Sequence, residues 1–377
     1  MRQGSEPAVY WAFMPNSLPP KLEFDHELVR LLSDADRAVG ELAGLGRNVT
    51  NPRLLISPLM RREAVLSSAI EGTQTQIAGL YAYEARQLPL PGVGVKPLEE
   101  DAAEVLNYVR ALEFGIERVK TLPVSLRLIR ELHQKLMTGV RGDAATPGEF
   151  RTSQNWIGGA GRTLNQASHV PPPPSEMMRA LGDLEIYLHA TDDPYPPLAR
   201  LAFVHYQFET IHPFLDGNGR IGRLLLALLL VEWGLLPLPL LYLSAYFERD
   251  RNTYYAGLSA ISHAGAWRDW LAYFLAGVRE QSQDAVLRLR QLIELRETWR
   301  RQLSKSKASA SALRLVDELF TTPIITIPEA TRRLEPMTAR GARKVVQKLM
   351  AAGILVPEPD AVYDVSYSAP EILAILQ

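Results

Sequence analysis

The stretch His212-Pro213-Phe214-Leu215-Asp216-Gly217-Asn218-Gly219-Arg220-Ile221-Gly222-Arg223 gathers an imidazole, a carboxylate, three glycines, an amide and two guanidinium groups. Upstream, Leu198, Leu201, Ala202, Val204, Phe208 and Ile211 recur at roughly 3.6-residue spacing. His212 therefore closes an amphipathic helix, which Pro213 helps to stop. Downstream, residues 220–233 read as a second, mostly buried helix. The Gly217-Asn218-Gly219 turn then places free backbone N–H groups at a helix N-terminus, where an anion is favoured. The pattern predicts a phosphate site with a base built into it.

Competing readings leave residues without a task. Gly217, Gly219 and Gly222 match the spacing of a dinucleotide fingerprint, but that motif needs a preceding strand and an acid about 20 residues on. Here a helix precedes it, and the nearest acids downstream are Glu232 and Glu248. His205, Glu209 and His212 could set three metal ligands on one helix face, yet the glycines and arginines would go unexplained. A plain glycine-rich turn accounts for the glycines but not for Asp216, Asn218, Arg220 and Arg223 together.

The string resembles the signature of the Fic family, whose members typically transfer AMP from ATP to a protein hydroxyl. Gly148-Glu149-Phe150-Arg151, running on to His169-Val170-Pro171-Pro172, resembles that family's flap hairpin, which holds the target segment. Ser67, Glu71 and Gly72 resemble its inhibitory motif, here N-terminal to the core. In chemical terms, attack of a serine, threonine or tyrosine hydroxyl on the α-phosphorus needs a base near neutral pH, which suits His212. Asp216 is the acid inside the turn and is assigned Mg2+. The amides of Gly217 to Gly219, with Asn218 and Arg220, are expected to meet the phosphates, and Ile221 and Gly222 complete the nucleotide-binding run. The resemblance implies that Arg223 holds the γ-phosphate, that Glu71 pulls Arg223 away from it, and that Tyr254 and Tyr255 lie near the adenine.

Glu71 also breaks a local rule. Ser57-Pro58 is a good helix start and Gly72 a good stop, so residues 58–71 read as one helix. A glutamate in its last turn faces the negative end of the macrodipole, which calls for a compensating cation elsewhere.

The chain of 377 residues is 47% hydrophobic, has a net charge of −1 and contains no cysteine. Near-neutral charge argues against a globally basic nucleic-acid binder. The missing cysteines exclude disulfides, thiol catalysis and thiolate zinc sites, and fit a cytoplasmic protein. Met1 to Pro7 shows no apolar signal region, and the greasy run from Leu224 to Leu243 is broken by Glu232, Gly234, Pro237 and Pro239, against a membrane span.

The expected fold is mainly α: a helical N-terminal region over 1–100, a Fic-type bundle with a β-hairpin flap over 101–303, and a winged helix-turn-helix domain over 304–377. Residues 304–311 read as a polar linker. Helices follow at 312–320, 328–334 and 338–352, then short strands at 354–356 and 362–365 around a Pro-Glu-Pro-Asp turn. Arg340, Arg343, Lys344 and Lys348 on the third helix could meet DNA phosphates, whereas Glu358, Asp360 and Asp364 make the wing acidic, so a protein contact is an equal alternative. The function expected is AMP transfer from ATP to a protein hydroxyl, the protein's own included, held in check by Glu71 acting on Arg223. A nucleotide-sensing DNA-binding regulator and a deAMPylase using the same site are the alternatives; another donor, phosphocholine among them, and a homodimer also stay open.

Overall fold

The computed structural model describes residues 10–47, 51–86, 97–140, 146–158, 164–306, 308–358 and 365–377. Met1 to Pro7, Lys307 of the expected linker, and Pro359, Asp360 and 362–364 of the expected wing lie outside the described residues.

Helices dominate. The first three are α1 (His26–Arg47), α2 (Pro52–Ile70) and α3 (Ile77–Arg86). The central bundle comprises α4 (Pro97–Arg118), α5 (Leu126–Met137), α6 (Pro174–Leu188), α7 (Pro197–Ile211), α8 (Asn218–Glu232), α9 (Ser244–Arg249), α10 (Arg251–Ala264) and α11 (Trp267–Lys305). Helix α8 is buried through the whole run Leu224 to Leu230, as expected of a helix that is apolar all round. It packs against α7 and is enclosed by α2, α4 and α5, while α7 leans on α6, α1 and α11. The loop between α7 and α8 is thereby held at one end of the two most buried helices. No helix among the described residues is long and apolar enough to cross a membrane.

Helix α2 departs from expectation. It starts at Pro52, not Pro58, with Asn51-Pro52 supplying an equivalent start earlier in the chain, so Pro58 lies inside it. An interior proline costs about 3 kcal/mol or more. The helix bears this because Leu54, Leu55, Leu59 and Met60 are all buried, each contributing about 1.5–3 kcal/mol. Arg61 also reaches back to donate to the Ser57 hydroxyl at 2.6 Å and to the Ser57 carbonyl at 3.3 Å.

Among the described residues, the expected flap hairpin shows one antiparallel bridge, Ile157 with His169, and a 3-10 turn over Leu164–Gln166. At its start the Arg151 N–H goes to the Pro213 carbonyl at 2.9 Å, not to a partner strand.

Beyond α11 come α12 (Ala310–Leu319), β1 (Ile324–Thr326), α13 (Ile327–Arg333), α14 (Ala339–Ala351), β2 (Val356–Pro357), β3 (Ser366–Ser368) and α15 (Pro370–Leu376). The strands form an antiparallel sheet in the order β1-β3-β2, with Ser368 facing both Ile324 and Val356. Sequence reading missed β1, because all three of its residues are buried and no period of two betrays it. The last strand falls at Ser366–Ser368, just after the expected span. Helices reach into the expected linker from both sides: α11 runs through Ser304 and Lys305, and α12 starts at Ala310, capped by the Ser309 hydroxyl, which accepts from the Ala312 N–H. The C-terminal unit is docked, with β1 against α3 and α15 against α11, α2 and α3.

Candidate active site

The loop after α7 is fixed from several sides. His212 itself adopts a left-handed conformation, φ 50° and ψ 62°, while its N–H still caps the helix on the Phe208 carbonyl at 3.0 Å. Such a backbone is costly for a residue other than glycine and persists only where its surroundings enforce it. The buried Arg151 supplies that enforcement by donating to the His212 carbonyl at 3.0 Å and the Pro172 carbonyl at 2.5 Å. Asn155 donates to the Phe214 carbonyl at 2.8 Å. The Phe214 ring stacks on His133 at 3.7 Å and 3°. His133 accepts from the Gly148 N–H at 2.9 Å through Nδ1, so its Nε2–H donates to the Asp216 carbonyl at 3.0 Å.

The His212 ring has a defined tautomer. Its Nδ1 lies 3.2 Å from the Glu209 carbonyl, an oxygen that can only accept, so Nδ1 carries the proton and the Nε2 lone pair is free. Burial pushes its pKa down to about 4, which the bond to Glu209 and the Glu71 charge oppose, while His169 and Arg151 add to the fall. The imidazole is therefore neutral at pH 7.

Next to it lies an uncapped helix end. Gly217, at φ 79°, opens α8 without any side-chain cap, and among the described residues the N–H groups of Asn218, Gly219 and Arg220 have no acceptor. Asp216 is half exposed, with one oxygen taken by the Gly217 N–H at 2.6 Å.

What occupies this end is Glu71. A methyl group at Gly219 would come within 2.2 Å of Glu71 Oε1 and 2.8 Å of Arg223 Nη1, so the carboxylate lies directly against the first turn of α8. Arg223 donates through Nη2 to Glu71 at 2.7 Å and to the Ser67 carbonyl at 2.9 Å, and through Nε to the Ser67 hydroxyl at 2.8 Å. Burial alone would raise the Glu71 pKa, but the Arg223 charge and hydrogen bond outweigh it and hold the carboxyl below its ordinary range. Burial likewise works against the charge on Arg223, and Glu71, Tyr254 and Glu209 overcome it. The helix-end glutamate thus has its compensating cation 152 residues away in the chain.

Two further acids surround Arg223. Glu63, two turns before Glu71 on α2, accepts from the Tyr108 hydroxyl at 3.0 Å and the Ser244 hydroxyl at 2.6 Å, and burial pushes its pKa up to about 7 against these bonds and Arg223. Glu209 packs under Gly222, and burial raises it too to about 7, with Arg223 opposing and Glu71 assisting. An acid whose folded value is raised holds a proton that the unfolded chain has lost, so stability falls as pH climbs towards that value. The buried histidines, whose pKa values are lowered from 6.5, act oppositely up to and through that value. The contribution of the two acids should therefore fall between about pH 4.5 and 7, so the double variant Glu63→Gln/Glu209→Gln should gain thermal stability relative to the wild type as pH rises through that range. Melting midpoints across this range check it; an unchanged slope in the double variant would contradict the assignment.

Fold and site together invite comparison with known proteins. Residues 29–117 match the Fic/DOC family N-terminal model and residues 123–230 match the Fic/DOC family model, together more than half of the chain. The chain belongs to the Fic/DOC family. It is 28% identical over 223 residues to the protein adenylyltransferase Fic of Drosophila grimshawi, covering 59% of this chain and 41% of that protein. The corresponding protein of Drosophila yakuba gives 28% identity, 59% and 40%. The chain thus spans about two fifths of the length of these curated relatives. Among solved structures, a Fic family protein from Desulfovibrio desulfuricans G20 superposes with a TM-score of 0.60 at 20% identity, over 93% of this chain and 98% of that one. Fic-1 of C. elegans, residues 134–508, gives 0.51 at 22% identity, over 72% and 73%.

Within this Fic/DOC site, several expected residues hold other posts. The Asn218 amide is consumed inside the loop, accepting from the Phe214 N–H at 2.8 Å and donating to the Phe214 carbonyl at 2.9 Å, which leaves its backbone N–H as the group without an acceptor. The Arg220 guanidinium is buried under the loop, 3.3 Å from Glu104 and 3.5 Å from Asp216. Ile221 is a core side chain whose N–H bonds to the Gly217 carbonyl. Gly222 lets α8 approach Glu209, since a methyl group there would meet that carboxylate at 2.2 Å. Tyr254 is sealed between Phe247 and Trp270, with its hydroxyl on His205 at 2.9 Å, and offers no face to a base. Tyr255 is 44% exposed and remains accessible. Sequence reading missed His133, Glu104 and Asn155. Two left a signal, being polar positions within the buried faces of amphipathic helices, Glu104 beside Val105 and Tyr108, and His133 beside Leu132 and Leu136.

Proposed function

We propose that this chain transfers AMP from ATP to a serine, threonine or tyrosine hydroxyl of a protein, its own hydroxyls included, and that Glu71 restrains the reaction. One observation carries this reading: a neutral His212 with its Nε2 lone pair free stands beside an uncapped α8 N-terminus. The attacking oxygen forms a bond to the α-phosphorus, the bond to the bridging oxygen breaks, pyrophosphate leaves, and the hydroxyl proton passes to His212 Nε2. A bound polyphosphate would also stabilise the imidazolium and lift the depressed pKa. The unclaimed N–H groups of residues 218–220 receive phosphate oxygens. Arg223, once released, offers a planar fork to the γ-phosphate.

The donor set fits Mg2+, which prefers one or two carboxylates together with phosphate oxygens: Asp216 keeps one oxygen uncommitted and open to solvent. Bound there, the ion would offset charge on the leaving pyrophosphate. Among the described residues no cluster of three or more histidines and acids could hold a metal without such help.

Glu71 restrains this chemistry by two routes. It lies against the helix end that would take the phosphates and holds the arginine meant for the last of them. The test is intact mass after incubation of the full chain, and of its Glu71→Gly variant, with ATP and magnesium. A gain of one or more AMP units is expected, larger in the variant. No gain in either protein, with or without an added protein substrate, would remove the reading.

A further inference from the structure

We propose that the exposed face of α14 is a docking surface for duplex DNA. Ala342, Val345, Val346 and Leu349 turn into the C-terminal unit, which leaves Arg340, Arg343, Lys344 and Gln347 exposed. That spacing of three, four and seven residues lines a single helical face. The helix contains four cations and no acid. In the same unit, Arg333 is paired with Glu318 and Glu329, and Arg332 with Glu329. Arg340, Arg343 and Lys344 take no part in any ion pair among the described residues.

Such an arrangement is unfavourable by itself. Like charges one turn apart repel, and a cation in the first turn with no acid beside it opposes the helix dipole. Both penalties vanish against a polyanion. The order α12-β1-α13-α14-β2-β3 makes α14 the second helix of a helix-turn-helix followed by a strand pair, the position that enters a DNA major groove. The deep, narrow major groove of duplex RNA would not admit it. Since the whole chain carries a net charge of only −1, attraction has to come from this face.

The inference does not rest on AMP transfer, and its test contains no ATP. Anisotropy of a labelled mixed-sequence DNA duplex is titrated with the full chain at several salt concentrations. The affinity is expected to fall linearly on a log-log plot with a slope of about −3, from roughly 0.9 per neutralised phosphate. The double variant Arg343→Gln/Lys344→Gln should lower the slope by about 2 and weaken binding alike across sequences. Circular dichroism confirms that the variant is folded. Absence of binding at low salt, or an unchanged slope in the variant, would overturn the proposal. Tighter binding to poly-L-glutamate than to the duplex would overturn it in favour of an acidic protein segment.

Discussion

Replacing His212 with alanine is expected to lower AMP transfer by about 10²–10⁴-fold, the usual contribution of a positioned base, with nucleotide affinity nearly unchanged. In the proposed reaction the ring contributes a lone pair to the incoming hydroxyl, whereas the phosphates are received by backbone groups of α8 and by Arg223. A complication lies in the left-handed backbone of His212, which alanine adopts at a cost. His212→Asn controls for this, because asparagine tolerates that conformation better but carries no base. Both variants should melt near the wild type, bind ATP and fail to incorporate label. Transfer at the wild-type rate in either variant would show that some other group takes the proton.

Removal of the Glu71 carboxylate should have the opposite effect. In Glu71→Gly the α8 N-terminus is vacated and Arg223 loses its 2.7 Å partner, keeping only Ser67. A release of about 1.4 kcal/mol of unproductive binding is worth tenfold in rate, so self-modification should rise by about tenfold or more. In the double variant Glu71→Gly/Arg223→Ala that gain should vanish, because in the proposed reaction the freed guanidinium receives the γ-phosphate. AMP incorporation in the wild type, both single variants and the double variant decides the matter. Equal activity in the wild type and Glu71→Gly would refute the restraint; a hyperactive double variant would show that Arg223 is not the group restrained.

The sequence by itself was enough for whatever is encoded within a turn or two. A helix ending at His212, a glycine turn and a helix over 220–233 follow from local periodicity and glycine's access to positive φ, and the structure shows the same order of elements, with the second helix starting two residues earlier at Asn218. The Fic-type helical fold was legible through the family resemblance carried by the contiguous residues 212–223. Local rules also misled. Ser57-Pro58 reads as a helix start, yet α2 runs through it because four buried apolar side chains outweigh one proline.

Tertiary structure decided which polar groups are free. An amide, a guanidinium and a phenol in the right stretch of sequence all look like ligands for a nucleotide. Only packing shows that Asn218 is spent on Phe214, Arg220 on Glu104, and Tyr254 on an aromatic core. The partners are 116 residues apart for Arg220 and 152 for Arg223, and no periodicity reports on such distances; the resemblance to a family, not the spacing, pointed to Glu71. Burial then set the chemistry: the same imidazole that would titrate near 6.5 in water is held neutral, with its free nitrogen chosen by a single carbonyl of α7. Desolvation and hydrogen-bond direction are properties of a three-dimensional neighbourhood, and a linear pattern does not contain them.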